Sequence, residues 1–520
     1  LAREETWGEE NEQQYEEPNE WPSIFSEVSD MAMLSNVSYP ISFLIRQAKA
    51  GKLKNSSKVL ARFQLVRDKD LSSGPLSPGE LLEIVEANRD CIEQEYCSRE
   101  DLESRYGWLE GLNHWVHVEE TRGFPGSLAL LEFDDHYDAH RLAYGLVINR
   151  IQKRIVVVFR GTYAERTDDW KRNLQSDQVE VPVPSNLLQR AIQRGLKERD
   201  SLPSKVKIHR GMYEYLFDNA EKGPRFEKER YEEITDLLFE CLRENPDFDI
   251  CVTGHSLGGA LAEVFAVFLT ANLNAFEEDL PIIPDVTCIP VGSMITGDAH
   301  FGRTLSYLER NDGLRYLRVT NEDDPVVYFP PLEEYALSGM QLRLNREHGH
   351  ALWDPRTGRN YAPFTLNSAR NKSSRWKHLD RDTVGALYLR PKDDRTESTD
   401  SGDEVPGWNH PHQEAIGVMY TRTRVDDMEE FANSWPNLIR ALKYSFHGKT
   451  DYIRDHSIPS YLGRMERESE YLSRITLNSW HHEVGGALDT LKGYRHPSQD
   501  RVRPPREPQR LTLPQKLVLS

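Results

Sequence analysis

A serine held between glycines, an acid cluster at the end of an apolar run and a late histidine are the parts of a nucleophilic acyl-transfer site. The serine lies in Asp249-Ile250-Cys251-Val252-Thr253-Gly254-His255-Ser256-Leu257-Gly258-Gly259-Ala260. The run Ile250 to Val252 reads as a buried strand, and the Ala/Leu-rich stretch to about Ala271 reads as a helix. Strand, G-x-S-x-G and helix together are the setting in which a serine hydroxyl is displayed above a sheet. The flanking glycines allow a turn too tight for β-carbons, and the serine itself takes a strained backbone conformation. Its Oγ then sits at the positive end of the helix, where developing negative charge is stabilised. A serine that only caps a helix in a small-residue turn is the plainer alternative. The strand before, the helix after and the extra Gly259 favour catalysis.

Gly254-His255-Ser256-Leu257-Gly258-Gly259-Ala260 resembles the signature of the fungal-type (class 3) triacylglycerol lipases, which are α/β-hydrolases. The resemblance spans roughly residues 140–330 and 445–465. It implies a role for Phe159-Arg160-Gly161-Thr162, which is similar to the family's F-R-G-[ST] segment. There Thr162 helps form the oxyanion hole, and the backbone N–H of Leu257, beside the serine, supplies the other donor. The family also carries a short Trp-bearing lid helix, which corresponds to Tyr163 to Leu174 with Trp170 and Leu174 as its lipid-meeting side chains. Ile208-His209-Arg210-Gly211-Met212-Tyr213 resembles a further family segment, in which His209 reads as structural rather than catalytic.

The acid is sought just past a strand, where it can accept an imidazole N–H and fix its tautomer. Leu314 to Thr320 reads as that strand, followed by Asn321-Glu322-Asp323-Asp324-Pro325-Val326-Val327. This resembles the family's N-x-x-D-x-V-P, which aligns Asp324 with the acid, with Asp323 as the alternative and Val327 replacing the family's proline. The base must follow the acid, because the order in α/β-hydrolases is Ser, Asp, His. Asp455-His456-Ser457-Ile458-Pro459-Ser460-Tyr461 resembles the family's terminal element, a His followed shortly by Tyr, and makes His456 the candidate. His348 and His350 stand much nearer to Asp324 and remain the competing pair, although they fit a strand or its edge better.

Around these residues the pattern supplies the supporting elements. Leu142 to Val147 and Ile155 to Phe159 read as strands joined by a short turn, the second apolar throughout, as in a strand buried on both faces. Trp21 to Lys49 reads as a helix packed on the sheet, and 50–120 as a helical addition. Ser185 to Arg199 is amphipathic, Arg225 to Glu244 is a charged helix, and Val286 to Val291 is the strand after the serine's helix.

The net charge is −19, and the first thirty residues hold ten acids against Arg3 alone, so the start of the chain reads as a solvated acidic arm. An acidic chain of pI ≈ 5.4 argues against broad nucleic-acid binding. Five cysteines, Cys91, Cys97, Cys241, Cys251 and Cys288, are sparse and lean towards a reducing compartment. No run of eighteen apolar residues is present, so no membrane-spanning helix is expected. No CxxC pair, HExxH or phosphate loop occurs, and neither metal nor cofactor is implied. The chain opens on Leu1, so it reads as a fragment or processed form; a lost targeting segment stays open, and localisation is not assigned.

The sequence therefore predicts an α/β-hydrolase, a mainly parallel central sheet with helices on both faces, extended by N-terminal helices and a long late insertion. Its expected divisions are a disordered acidic arm at 1–22, a helical region at 23–135, the core with serine and acid at 136–332, an insertion at 333–440 with an expected disordered segment near 391–413, a core return at 441–465 and a polar tail at 466–520. The expected activity is carboxylic-ester hydrolysis on an acylglycerol through Ser256, Asp324 and His456, at a membrane or droplet surface. A phospholipase or galactolipase of the same fold, a hydrolase of soluble esters or peptides, and a catalytically silent scaffold are the alternatives.

Overall fold

The computed structural model describes residues 22–67, 75–122, 128–135, 142–162, 177–193, 202–217, 229–273, 282–311, 313–321, 324, 326–328, 330, 334–344, 350–354, 359–360, 455–473 and 477. In chain order the strands are β1 (Leu128–Asp134), β2 (Tyr144–Asn149), β3 (Arg154–Phe159), β4 (Gln178–Pro182), β5 (Lys205–His209), β6 (Asp249–His255), β7 (Val286–Val291), β8 (Leu314–Tyr316), β9 (Arg318–Asn321), β10 (Gln341–Leu344), β11 (His350–Asp354) and β12 (Arg359–Asn360). The central sheet runs β1-β2-β3-β6-β7-β9-β10-β11-β12, with β8 also on β7, and β4 pairs β5 separately. Pairing is parallel from β3 through β6, β7 and β9 to β10, and antiparallel at both margins. This is the α/β-hydrolase arrangement, mostly parallel with helices on both faces.

Alternation along the buried strands decides which core each side chain joins. Ile155, Val157, Phe159, Ile250 and Val252 face the helices Leu257–Leu273, Arg230–Glu244 and Arg210–Phe217. Val156, Val158, Cys251 and Val291 face the opposite layer. That layer is built by the N-terminal helix Ile24–Lys49, the helices Pro78–Ala87 and Trp108–Arg122, and the late helix Ile458–Arg467. The N-terminal helices are thus half of the core's covering, and Ile24, Leu44, Ile92 and Leu102 are fully buried there.

The chain departs from the sequence expectations in detail. The single strand expected from Leu314 to Thr320 breaks at Leu317 into β8 and β9. β1 lies within the stretch read as helical, and β10, β11 and β12 lie within the stretch read as insertion, yet all four belong to the central sheet. Leu472 and Leu477, in the expected tail, are fully buried against the N-terminal layer. Ser185–Gln193 is a helix that buries Leu187 and Ala191 and leaves Ile192 77% exposed. The acidic arm, the lid segment with Trp170 and Leu174, and the stretch 361–454 lie outside the described residues.

Candidate active site

Ser256 occupies the turn between β6 and the helix Leu257–Leu273, with φ = 60°. A left-handed conformation is uncommon for a residue with a side chain and persists only where its surroundings enforce it. They do so here. The Ser256 N–H donates to the Val291 carbonyl at 3.1 Å, and the Ser256 carbonyl accepts from Gly259 at 3.0 Å. A β-carbon on Gly258 would stand 2.2 Å from the Phe159 carbonyl oxygen, so only glycine lets the helix approach the end of β3.

The other candidates lie past the carboxyl ends of neighbouring parallel strands, the usual place for ligand chemistry in such sheets. Thr162 follows β3 and is buried. Its neighbour Gly161 is so close to the serine that a β-carbon there would lie 3.3 Å from Ser256 Cβ. Arg160 braces this loop: its guanidinium pairs with Asp135 at 3.0 Å, and its Nε donates to the Gly161 carbonyl at 3.3 Å. Leu257 opens the helix with its side chain buried. The first N–H groups of a helix have no intrahelical partner, so Leu257 N–H and the Thr162 loop can present donors to one oxyanion.

Asp324 follows β9 and is fully buried. Its Oδ1 accepts from Val326 N–H at 2.9 Å, and its Oδ2 accepts from His456 Nδ1 at 2.8 Å and from the Tyr461 hydroxyl at 2.5 Å. A carboxylate only accepts, so Nδ1 carries the imidazole proton and Nε2 presents a lone pair. Nε2 is buried and has no hydrogen-bond partner among the described residues. Burial, and then the Asp324 charge, push the Tyr461 hydroxyl well above its ordinary value, so it remains a donor.

The loop carrying His456 is tied to the sheet. Asn321 Nδ2, at the end of β9, donates to the Asp455 carbonyl at 2.7 Å. Asp455 pairs with Arg464 at 2.5 Å, and Arg464 reaches the Leu344 carbonyl at the end of β10. Serine and histidine segments meet through His255, whose Nε2 lies 2.7 Å from the His456 carbonyl and whose ring lies 4.5 Å from the His456 ring. Burial, then the neighbouring His456, hold the His255 imidazole well below its ordinary pKa, so it is neutral.

Ser256, Thr162, Leu257, Asp324 and His456 therefore converge on one end of the sheet. Asp323 and His348 lie outside the described residues, and His350 opens β11, paired with Leu344. His209 is buried, with Nδ1 accepting from Gly211 N–H, a structural use. The residues that sequence reading passed over are Tyr39 and His255, whose partners lie over two hundred positions away. Tyr461 was visible only as part of a terminal pattern. Among the described residues no group of His, Cys, Asp and Glu is placed to hold a metal ion.

Residues 156–334 match the family model described as Lipase (class 3). Arabidopsis thaliana Triacylglycerol lipase OBL1 is 32% identical over 124 residues, 23% of this chain and 23% of that protein. Phospholipase A1-II 3 of Oryza sativa subsp. indica is 27% identical over 215 residues, 41% of this chain and 47% of that protein. Among solved structures, the Lip2 lipase from Yarrowia lipolytica aligns at 20% identity and a TM-score of 0.32, covering 44% of this chain and 68% of that one. The chain thus spans less than half the length of these two curated relatives.

Proposed function

We propose that this chain, whose fold matches the class 3 triacylglycerol lipases of the α/β-hydrolase superfamily, is a serine hydrolase that cleaves carboxylic esters of lipids. The observation that carries the reading is the buried Asp324–His456 bond at 2.8 Å beside a left-handed serine turn. Ser256 Oγ attacks the ester carbonyl as His456 Nε2 takes its proton. The oxyanion is held by the N–H groups of Thr162 and Leu257, and Asp324 stabilises the imidazolium. The intermediate collapses to an acyl-enzyme as His456 protonates the departing alcohol. Water, deprotonated by the same nitrogen, then releases the fatty acid.

Acylglycerol is the substrate class we favour, at a membrane or droplet surface. The similarity to the Arabidopsis triacylglycerol lipase supports it, and the longer alignment with the rice phospholipase A1 supports a second reading, phospholipid. Among the described residues no helix is long and apolar enough to cross a membrane. Turnover of emulsified triacylglycerol, diacylglycerol and phospholipid vesicles, compared with a short water-soluble ester, separates these. Acylglycerol release well above the other two supports the first reading, and preference for the vesicles supports the second. Turnover confined to the soluble ester would remove the lipid assignment.

A further inference from the structure

Tyr39 comes from the N-terminal helix, a layer that the hydrolase mechanism does not otherwise use. Its hydroxyl lies 2.9 Å from His255 Nδ1 and stands directly against Gly161. The contact with the Gly161 loop is intimate: a β-carbon on Gly161 would stand 2.2 Å from that hydroxyl. Donor logic sets the direction of the chain. The His456 carbonyl, 2.7 Å from His255 Nε2, can only accept, so the neutral imidazole carries its proton on Nε2 and its Nδ1 accepts from the Tyr39 hydroxyl.

Resting on the hydrolase reading above, we propose that Tyr39 is a positioning residue that couples the serine turn and the His456 loop through one continuous hydrogen-bond chain and braces the oxyanion loop by direct contact. Each link is local and physical. Gly161 stands against the Tyr39 hydroxyl, and its carbonyl accepts from Arg160 Nε, which limits the freedom of the following Thr162. The ring of His255 is fixed in one tautomer, edge-on to Tyr39 and tilted against His456. His456 is thereby gripped twice, at its ring by Asp324 and at its main-chain carbonyl by His255.

Removing the hydroxyl breaks the link to His255, while the Tyr39 ring, packed at the edge of the N-terminal core, stays in place in Tyr39→Phe. A misplacement of about 1 Å in a catalytic group can cost on the order of 10²-fold in rate. A merely structural hydroxyl would instead lower the melting temperature and leave the turnover of the folded fraction alone.

The experiment uses the full chain as wild type, Tyr39→Phe and Ser256→Ala. It measures kcat and KM on a short soluble ester, the rate of labelling by a fluorophosphonate, and the melting curve. The expected result is that Tyr39→Phe melts near wild type, keeps its KM, and loses about 10²-fold in both kcat and labelling rate. A folded Tyr39→Phe with wild-type kcat and labelling overturns the proposal while the hydrolase reading stands. Turnover per folded molecule equal to wild type, with a lowered melting temperature, overturns it as well. An unlabelled wild type would bring down the hydrolase reading and this one with it. Should Tyr39→Phe fail to fold, His255→Gln decides. Its amide can accept from Tyr39 and donate to the His456 carbonyl, so near-wild-type activity in it, against loss in His255→Leu, supports the coupling. A His255→Gln protein as inactive as His255→Leu overturns it.

Discussion

His456 Nδ1 lies 2.8 Å from Asp324 Oδ2, with both residues buried and 132 positions apart in the chain. The bond closes a gap that includes the whole stretch 361–454, and it is made by the last sheet-associated loop before the helix Ile458–Arg467. The same acid oxygen takes the Tyr461 hydroxyl one helical turn later, so a single short segment supplies both donors to Asp324.

Replacing the acid tests the pair with little change of shape. Asp324→Asn should fold, with far-UV circular dichroism like wild type, and lose about 10⁴-fold in kcat, the loss seen when a triad histidine is held in the wrong tautomer. Activity within about tenfold of wild type would mean that another group orients the base.

Tyr461→Phe separates support from chemistry. A hydrogen bond to a charged group contributes about 1.5–3 kcal/mol, so the variant should unfold at lower denaturant by about that much while remaining an active esterase. Denaturant midpoints and kcat on a soluble ester check both halves. Complete inactivity without loss of stability would assign Tyr461 a more direct part.

Much of this site is legible from residues alone. β3, β6 and β7 are short, continuously apolar runs, and Gly254, Ser256 and Gly258 carry the turn in their spacing. Order along the chain leaves several histidines open, and the three-dimensional path resolves Asp324 and His456 as partners. β10 escapes because it is four residues long and alternates Gln341 and Arg343 with its two leucines, and β12 has two residues only. Tyr39 escapes because its polar end meets His255, 216 positions away, a contact that no periodicity encodes.

A buried charge cluster sets the acid limit of stability. Glu27, on the N-terminal helix, meets Arg154 on β3 at 2.7 Å and Arg315 on β8 at 3.1 Å. Burial alone would raise its pKa, but the Arg315 and Arg154 charges outweigh it and the carboxyl is held below its ordinary value. A depressed carboxylate adds stability above the unfolded pKa, about 4.3, and loses it as pH falls through the folded one. Glu27→Ala should cost about 3–5 kcal/mol at neutral pH by leaving two guanidiniums buried without it. It should also flatten the fall in melting temperature below about pH 4.3. An unchanged acid limb would contradict the assignment.

Glu263, in the helix that follows Ser256, should behave with the opposite sign. Burial raises its pKa despite Arg318 nearby. A raised carboxylate favours the fold at pH below the unfolded pKa, and that contribution is lost as pH rises through the folded value. Glu263→Gln should therefore raise the melting temperature at neutral pH and leave it nearly unchanged in acid. A lower melting temperature in the variant at neutral pH would show that the ionised carboxylate is stabilising there.

The most direct test of the central claim is the rate at which Ser256 is phosphonylated by a fluorophosphonate, with loss of fluoride, in His456→Ala and His350→Ala, followed by intact mass. Wild type should gain one adduct, located on Ser256 and absent from Ser256→Ala. His350→Ala should react at close to the wild-type rate, and His456→Ala should fold normally but react on the order of 10⁴-fold more slowly. A folded His456→Ala that is labelled as fast as wild type would contradict the account and move the base elsewhere.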